Sequence, residues 1–178
     1  MKLRQLLVVL AVASTTIAGV AAAVGSASAE TAGDFTGSIT GQKGSAWSNK
    51  CVDVAFSSGL NGTPIQSWDC NVTAAQRWTI RTDGTIRVFG KCMDVNTSSR
   101  ANGAKVQLYD CNGTGAQQWR LSSAHEIVNP QANKCLDVTD WGTANGTRLQ
   151  IWDCYGGANQ KWEKFYDPPG RPLTPAPW

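Results

Sequence analysis

Three carboxylates, three aromatic rings and three side-chain amides recur in this chain at one fixed spacing. Asp53, Asp94 and Asp137 each stand two residues after a cysteine. Gln66, Gln107 and Gln150 follow, and two residues beyond each comes Trp68, Tyr109 or Trp152. A carboxylate accepts hydroxyl hydrogen bonds of the strong, charge-assisted kind. An amide both donates and accepts. An aromatic ring covers a C–H face and excludes water. Together these groups suit a neutral sugar, which presents vicinal hydroxyls on its edge and C–H bonds on one face. Taken singly, each Asp reads as a turn cap, a role Asp often fills. The matched distance to a Gln and a ring, three times over, favours the ligand-binding reading.

These residues sit in an internal repeat, and such a period decides how the fold is read. Lys50–Trp78, Lys91–Trp119 and Lys134–Trp162 align without insertion, at offsets of 41 and then 43 residues. The shared skeleton is Lys-Cys-x-Asp-Val, then Asn-Gly, then Gln-x-aromatic-Asp-Cys, then Gln-x-Trp. The six cysteines (51, 70, 92, 111, 135 and 154) allow 15 connectivities. If each repeat folds alike, the pairs are Cys51–Cys70, Cys92–Cys111 and Cys135–Cys154. Each would then close a loop worth roughly 3 kcal/mol on the chain-entropy view. Zinc is a poor alternative, because the gaps are long and His125 is the only histidine. No metal and no cofactor is expected.

The elements that must position these groups read as β. Short alternating runs at Cys51–Val54, Ile65–Trp68 and Trp78–Ile80 are separated by Gly, Asn and Ser clusters. Asn61-Gly62, Asn102-Gly103 and Asn145-Gly146 mark tight turns, since Asn-Gly tolerates positive φ. Further strands are expected near Phe35–Thr40, Thr85–Phe89 and Glu126–Asn129, and helix content should be low. One unit of about 40 residues cannot bury both faces, so three must share a core. Trp78, Trp119 and Trp162 belong to that core, as do Val52, Val95 and Val138. Asp69, Asp110 and Asp153 read as turn or surface residues.

Gln76-Arg77-Trp78, Gln117-Gln118-Trp119 and Gln160-Lys161-Trp162, each closing a repeat of this size, resemble the ricin-B-type lectin family (carbohydrate-binding module family 13). The resemblance covers about Asp34 to Lys164. It implies a β-trefoil, all-β: a six-stranded barrel capped by three hairpins with pseudo-threefold symmetry. It implies that Asp53, Asp94 and Asp137 clamp the sugar, that Trp68, Tyr109 and Trp152 stack on it, and that Gln66, Gln107 and Gln150 complete the polar side. The family also places an Asn before the Gln-x-Trp to hydrogen-bond the sugar, while the Gln (Gln76, Gln117, Gln160) steadies the Asp. Asn159 matches, but Ala75 and Ala116 depart from that pattern. Losing such a bond weakens a site by roughly 0.5–1.5 kcal/mol, so the third site is expected to be the most complete. Trp141 could extend it.

The remaining features set the context. Residues 1–29 read as a secretory signal: Lys2 and Arg4, an apolar run from Leu6 to about Val12, and Ala27-Ser28-Ala29 as the cleavage site. A secreted, extracellular protein with no membrane span after cleavage is expected. The formal net charge of +3 includes two residues of that signal, which leaves too little basic surface for nucleic acid. Five N-x-S/T sequons (Asn61, Asn71, Asn96, Asn112, Asn145) can arise by composition alone. No nucleophile or metallohydrolase motif surrounds His125, and acids repeated on three equivalent loops do not make the paired carboxylates of a glycosidase. A glycoside-acting enzyme is therefore disfavoured. A protein-binding or inhibitory trefoil is the other alternative, but it gives the repeated Asp, Gln and ring no reason to persist. The tail from Asp167 to Trp178 holds five of the seven prolines. It is expected to be extended, exposed and outside any sheet. With no hydrolase domain in these residues, the domain (30–166) is expected to act alone or through a partner, as a monomer. Galactose-, xylose- or arabinose-type units are the first candidate ligands by resemblance.

Overall fold

A computed structural model of the chain describes residues 33–166 and 174–178. The signal segment expected over 1–29 lies outside the described residues, as do residues 167–173. The described strands are β1 (Phe35–Gly41), β2 (Lys50–Val54), β3 (Thr63–Asp69), β4 (Trp78–Ile80), β5 (Ile86–Val88), β6 (Lys91–Val95), β7 (Ala104–Tyr109), β8 (Arg120–Leu121), β9 (Ile127–Asn129), β10 (Lys134–Val138), β11 (Thr147–Trp152), β12 (Trp162–Tyr166) and β13 (Thr174–Pro175). The helical elements described are single 3₁₀ turns of three residues. The fold is the expected all-β trefoil.

Each repeat is a hairpin, and its register explains the spacing read from the sequence. In β2–β3, Cys51 lies opposite Trp68 and Asp53 opposite Gln66. Asp94 faces Gln107 in β6–β7, and Asp137 faces Gln150 in β10–β11. Side chains alternate across a strand. The Asp and Gln therefore share the outer face with the aromatic, while Val52, Val54 and Ile65 point inward. Their counterparts Met93, Val95, Val106, Leu136, Val138 and Leu149, with Leu108 and Ile151 where the first repeat has Ser67, belong to one contiguous core. Pairings of β3 with β7, β7 with β11 and β11 with β3 close a triangle around the pseudo-threefold axis.

The Gln-x-Trp closes each repeat onto its own first strand. The Trp78, Trp119 and Trp162 indoles are buried and donate to the carbonyls of Val52, Met93 and Leu136 at 2.8, 3.0 and 3.1 Å. Disulfides join Cys51–Cys70, Cys92–Cys111 and Cys135–Cys154, as the repeat implied.

Two expectations are sharpened and one is corrected. The Asn-Gly pairs do form turns, but only the glycines take positive φ: Gly62 at 82°, Gly103 at 83° and Gly146 at 88°. The asparagines instead bridge to the neighbouring repeat. Asn61 donates to the Asp110 carboxylate (2.7 Å) and accepts from its backbone N–H (2.9 Å). Asn102 does the same with Asp153 (2.6 and 2.9 Å), and Asn145 with Asp69 (2.9 and 2.8 Å). Asp69, Asp110 and Asp153 are thus exposed, as expected, and also serve as latches, each pairing with the lysine that opens its repeat, Lys50, Lys91 or Lys134. The correction concerns the tail. Proline lacks an N–H, yet an edge strand tolerates that. Thr174–Pro175 pair with β12, Ala176 donates to the Lys164 carbonyl at 2.8 Å, and the Trp178 ring stacks on His125 at 5.2 Å.

Candidate functional site

In every repeat the structure brings the expected Asp, two Gln and ring together. Asp53 Oδ1 accepts from Gln66 Nε2 at 2.9 Å, and Oδ2 from Gln76 Nε2 at 3.0 Å. Asp94 holds Gln107 and Gln117 at the same two distances, 2.9 and 3.0 Å. Asp137 holds Gln150 at 2.9 Å and Gln160 at 3.0 Å, and adds Asn159 at 2.8 Å. Gln76, Gln117 and Gln160 are fully buried. Each also donates to the carbonyl just before the second cysteine and accepts the N–H just after it. They lock the carboxylate and do not reach solvent. Trp68, Tyr109 and Trp152 are 38%, 39% and 40% exposed, so each repeat offers an open ring beside a fixed anion.

The third repeat differs from the others by a correlated set of residues. In the first, Thr73 donates twice to the Asn71 side-chain oxygen (3.1 and 2.7 Å), and Thr114 does so to Asn112 in the second (3.1 and 2.8 Å). The third has Tyr155 and Gly157 at these places. A Cβ on Gly157 would lie 2.3 Å from the Tyr155 ring and 2.7 Å from Asn159 Oδ1, so the missing side chain makes room for the ring. Tyr155 Oη then donates to Asn159 Oδ1 at 2.7 Å. The Asn159 amide is committed to Asp137 and to the Val138 carbonyl (2.8 and 3.2 Å). It positions the carboxylate, and a direct bond to a ligand would require exchanging one of these. Trp141, expected as a possible extension, does line this cleft. It lies between Trp47 (5.7 Å) and Tyr155 (6.2 Å), and the Trp47 indole N–H is fixed on the Gly142 carbonyl at 2.9 Å. The cleft measures about 290 Å³ and is lined by Asp137, Asp140, Trp141, Gln150, Trp152, Tyr155 and Asn159. The first-repeat cleft measures about 480 Å³ and includes Asp53, Phe56, Gln66 and Trp68.

Residues 37–162 match the ricin-type beta-trefoil lectin domain. The chain belongs to this lectin family. Among curated proteins, the ribosome-inactivating protein SNAI of Sambucus nigra is 46% identical over 46 residues, 26% of this chain and 8% of that protein. Among solved structures, the agglutinin from Abrus precatorius superposes with a TM-score of 0.65 at 29% identity, over 74% of this lectin and 48% of the agglutinin chain. The designed threefold-symmetric protein ThreeFoil gives 0.64 at 27% identity, over 71% of this lectin and 95% of that chain. The lectin thus spans a small part of the first of these and about half of the second.

Three residues that line these clefts, Tyr155, Phe56 and Asp140, were not legible in the sequence. Phe56, Thr97 and Asp140 are equivalent, and the next residues are Ser57, Ser98 and Trp141. All six are left-handed, with φ between 49° and 57°. That conformation costs a non-glycine residue roughly 1–2 kcal/mol. The same left-handed lip with varied side chains therefore follows the first strand of each hairpin, and it rims the first and third clefts.

Burial raises the pKa of Asp53, Asp94 and Asp137 above 3.8, and the amide donors partly oppose it. Their contribution to stability is therefore full below the unfolded-state value and falls as pH rises through the folded one. The latch residues Asp69, Asp110 and Asp153 behave oppositely. Their lysine and asparagine donors lower the pKa, so their contribution is present above 3.8 and is lost as pH falls through the lowered value. Ligand binding through an ionised carboxylate should therefore fade on acidification before the latches release. Affinity should drop about tenfold per pH unit below the raised pKa, while circular dichroism still reports the native fold. Binding that declines only together with the fold would contradict this.

Proposed function

We propose that this lectin domain is a secreted carbohydrate-binding module without catalytic activity of its own. Galactose-, xylose- or arabinose-type units of a glycan or polysaccharide are its ligands, and the third repeat is its strongest site. The observation that carries this reading is the threefold recurrence of a carboxylate, gripped by two glutamines, beside a half-exposed ring. The glutamines fix the carboxylate's direction before any ligand arrives, so its orientation entropy is already lost. The ring then removes the C–H face of a sugar from water. Each site is shallow and individually weak, and several sites on one polymer gain through effective concentration. The disulfides fit an extracellular setting, where such bonds persist. The test is binding of the purified protein to a broad glycan array and to insoluble polysaccharides. Retention on at least one sugar class, competed by its free monosaccharide, is expected. No binding across both panels would overturn the proposal.

A further inference from the structure

The first and third clefts share the Asp, the two glutamines and the ring, yet their lips are chemically opposite. At the left-handed lip position the first repeat carries Phe56 and the third carries Asp140. Phe56 is 93% exposed. An aromatic side chain in that state contributes nothing to the core and adds apolar surface to water. The left-handed backbone beneath it is shared by Thr97 and Asp140 and belongs to a turn common to the three repeats, so the side chain alone sets this lip apart. That exposed ring stands on the rim of a cleft that also holds Asp53 and Trp68.

The cleft dimensions point the same way. The first is about 480 Å³ against about 290 Å³ for the third, where Trp141 and Tyr155 narrow the space. The carboxylates differ as well. Asp53 accepts two amide hydrogens and Asp137 three, out of about four lone-pair positions on a carboxylate. The first site is therefore wider, more apolar at its lip, and keeps one open acceptor position on each oxygen.

Resting on the reading of these clefts as sugar sites, we propose that the first takes a sugar unit bearing a methyl-terminated substituent, acetyl or 6-deoxy, and that Phe56 contacts that methyl. The third, with Asp140 at the same place, takes the fully hydroxylated unit. Phe56 and Asp140 are then the specificity-determining residues, and the domain binds two chemistries at once.

The experiment isolates each site by removing exposed rings, which leaves the core intact. Trp152→Ala with Tyr109→Ala leaves the first site, and Trp68→Ala with Tyr109→Ala leaves the third. Each is titrated, with the parent protein, against galactosides, xylosides and arabinosides, unsubstituted and O-acetylated, plus N-acetylgalactosamine and 6-deoxygalactose. The first-site protein should prefer the methyl-bearing member of a pair by roughly fourfold, the worth of one methyl group removed from water. Adding Phe56→Thr should erase that preference, so that the two members of each pair bind alike. Thr97 already occupies the equivalent place at φ 56°, so the backbone accepts the replacement. The third-site protein should show no such preference. The acetylated and deoxy probes separate the two sources of the methyl. Equal binding of the pair, a preference that survives Phe56→Thr, or a first-site protein that binds nothing the parent binds would each overturn the inference and leave the sugar reading standing. A parent protein that binds no probe here or on the broader panels would instead sink the sugar reading.

Discussion

Trp162→Ala is expected to cost about 3–5 kcal/mol of folding stability, the range for deleting a buried aromatic from a core. That is a large part of the total margin of a domain, about 5–15 kcal/mol. The indole is 2% exposed, and its N–H reaches the Leu136 carbonyl at 3.1 Å. Alanine would leave a cavity and an unpaired buried carbonyl at once. The loss would not stay local. Asn159 and Gln160 stand three and two residues before the ring and hold Asp137, so their grip depends on the same anchor. Trp152→Ala is the contrasting case. That ring is 40% exposed and stands outside the core cluster, so its removal should cost clearly less, about 1–2 kcal/mol. Chemical denaturation of both variants with the disulfides intact measures the difference. Equal losses would mean that the Gln-x-Trp ring is not the anchor described.

What the sequence shows of this fold follows from how far each interaction reaches. Asp137 and Gln150 are 13 residues apart because they sit opposite each other in one hairpin. A local spacing fixes that contact, and three copies make it visible. The Gln-x-Trp is legible for the same reason, since Gln160 and Trp162 both dock on the first strand of their own repeat. The asparagine latches were missed because their partners lie in other repeats, 49, 51 and 76 residues away. A turn reading explains Asn-Gly fully without them. Tyr155 and Phe56 were missed for a different reason. Repeat reasoning rewards positions that agree, and these are positions where one copy departs from the others. Gly157 was the available clue, because glycine replaces Thr73 and Thr114 where the backbone does not need it. Its φ of −62° is ordinary, so only the space for Tyr155 accounts for it. The tail was misread because a high proline content argues against a central strand, whereas an edge needs only one free face.

Asp137→Ala is expected to weaken sugar binding roughly ten- to a hundredfold, the worth of one hydrogen bond to a charged group. It should do so more than Asp53→Ala or Asp94→Ala. What surrounds Asp137, and not Asn159 as a direct ligand contact, favours the third repeat. Its carboxylate already holds Gln150, Asn159 and Gln160, with the Tyr155 hydroxyl close by, so about one acceptor position at most remains open. A single, rigidly aimed acceptor loses nothing by reorientation on binding. The ring surface adds to it, because Trp141 and Tyr155 stand with Trp152 around the same cleft. Neither Ala75 nor Ala116 could hold a tyrosine as Asn159 does. The substitution also takes one acceptor from each of three buried amides. Asn159 and Gln160 keep their bonds to the Val138 and Asp153 carbonyls, and each N–H left unpaired costs about 1–3 kcal/mol. Affinity must therefore be measured where the variant is folded, with Trp152→Ala as a second route to the same site. If both variants bind as tightly as the parent while Asp53→Ala does not, the first repeat is the principal site. The correlated exchange of Tyr155, Gly157 and Asn159 would then have no part in affinity.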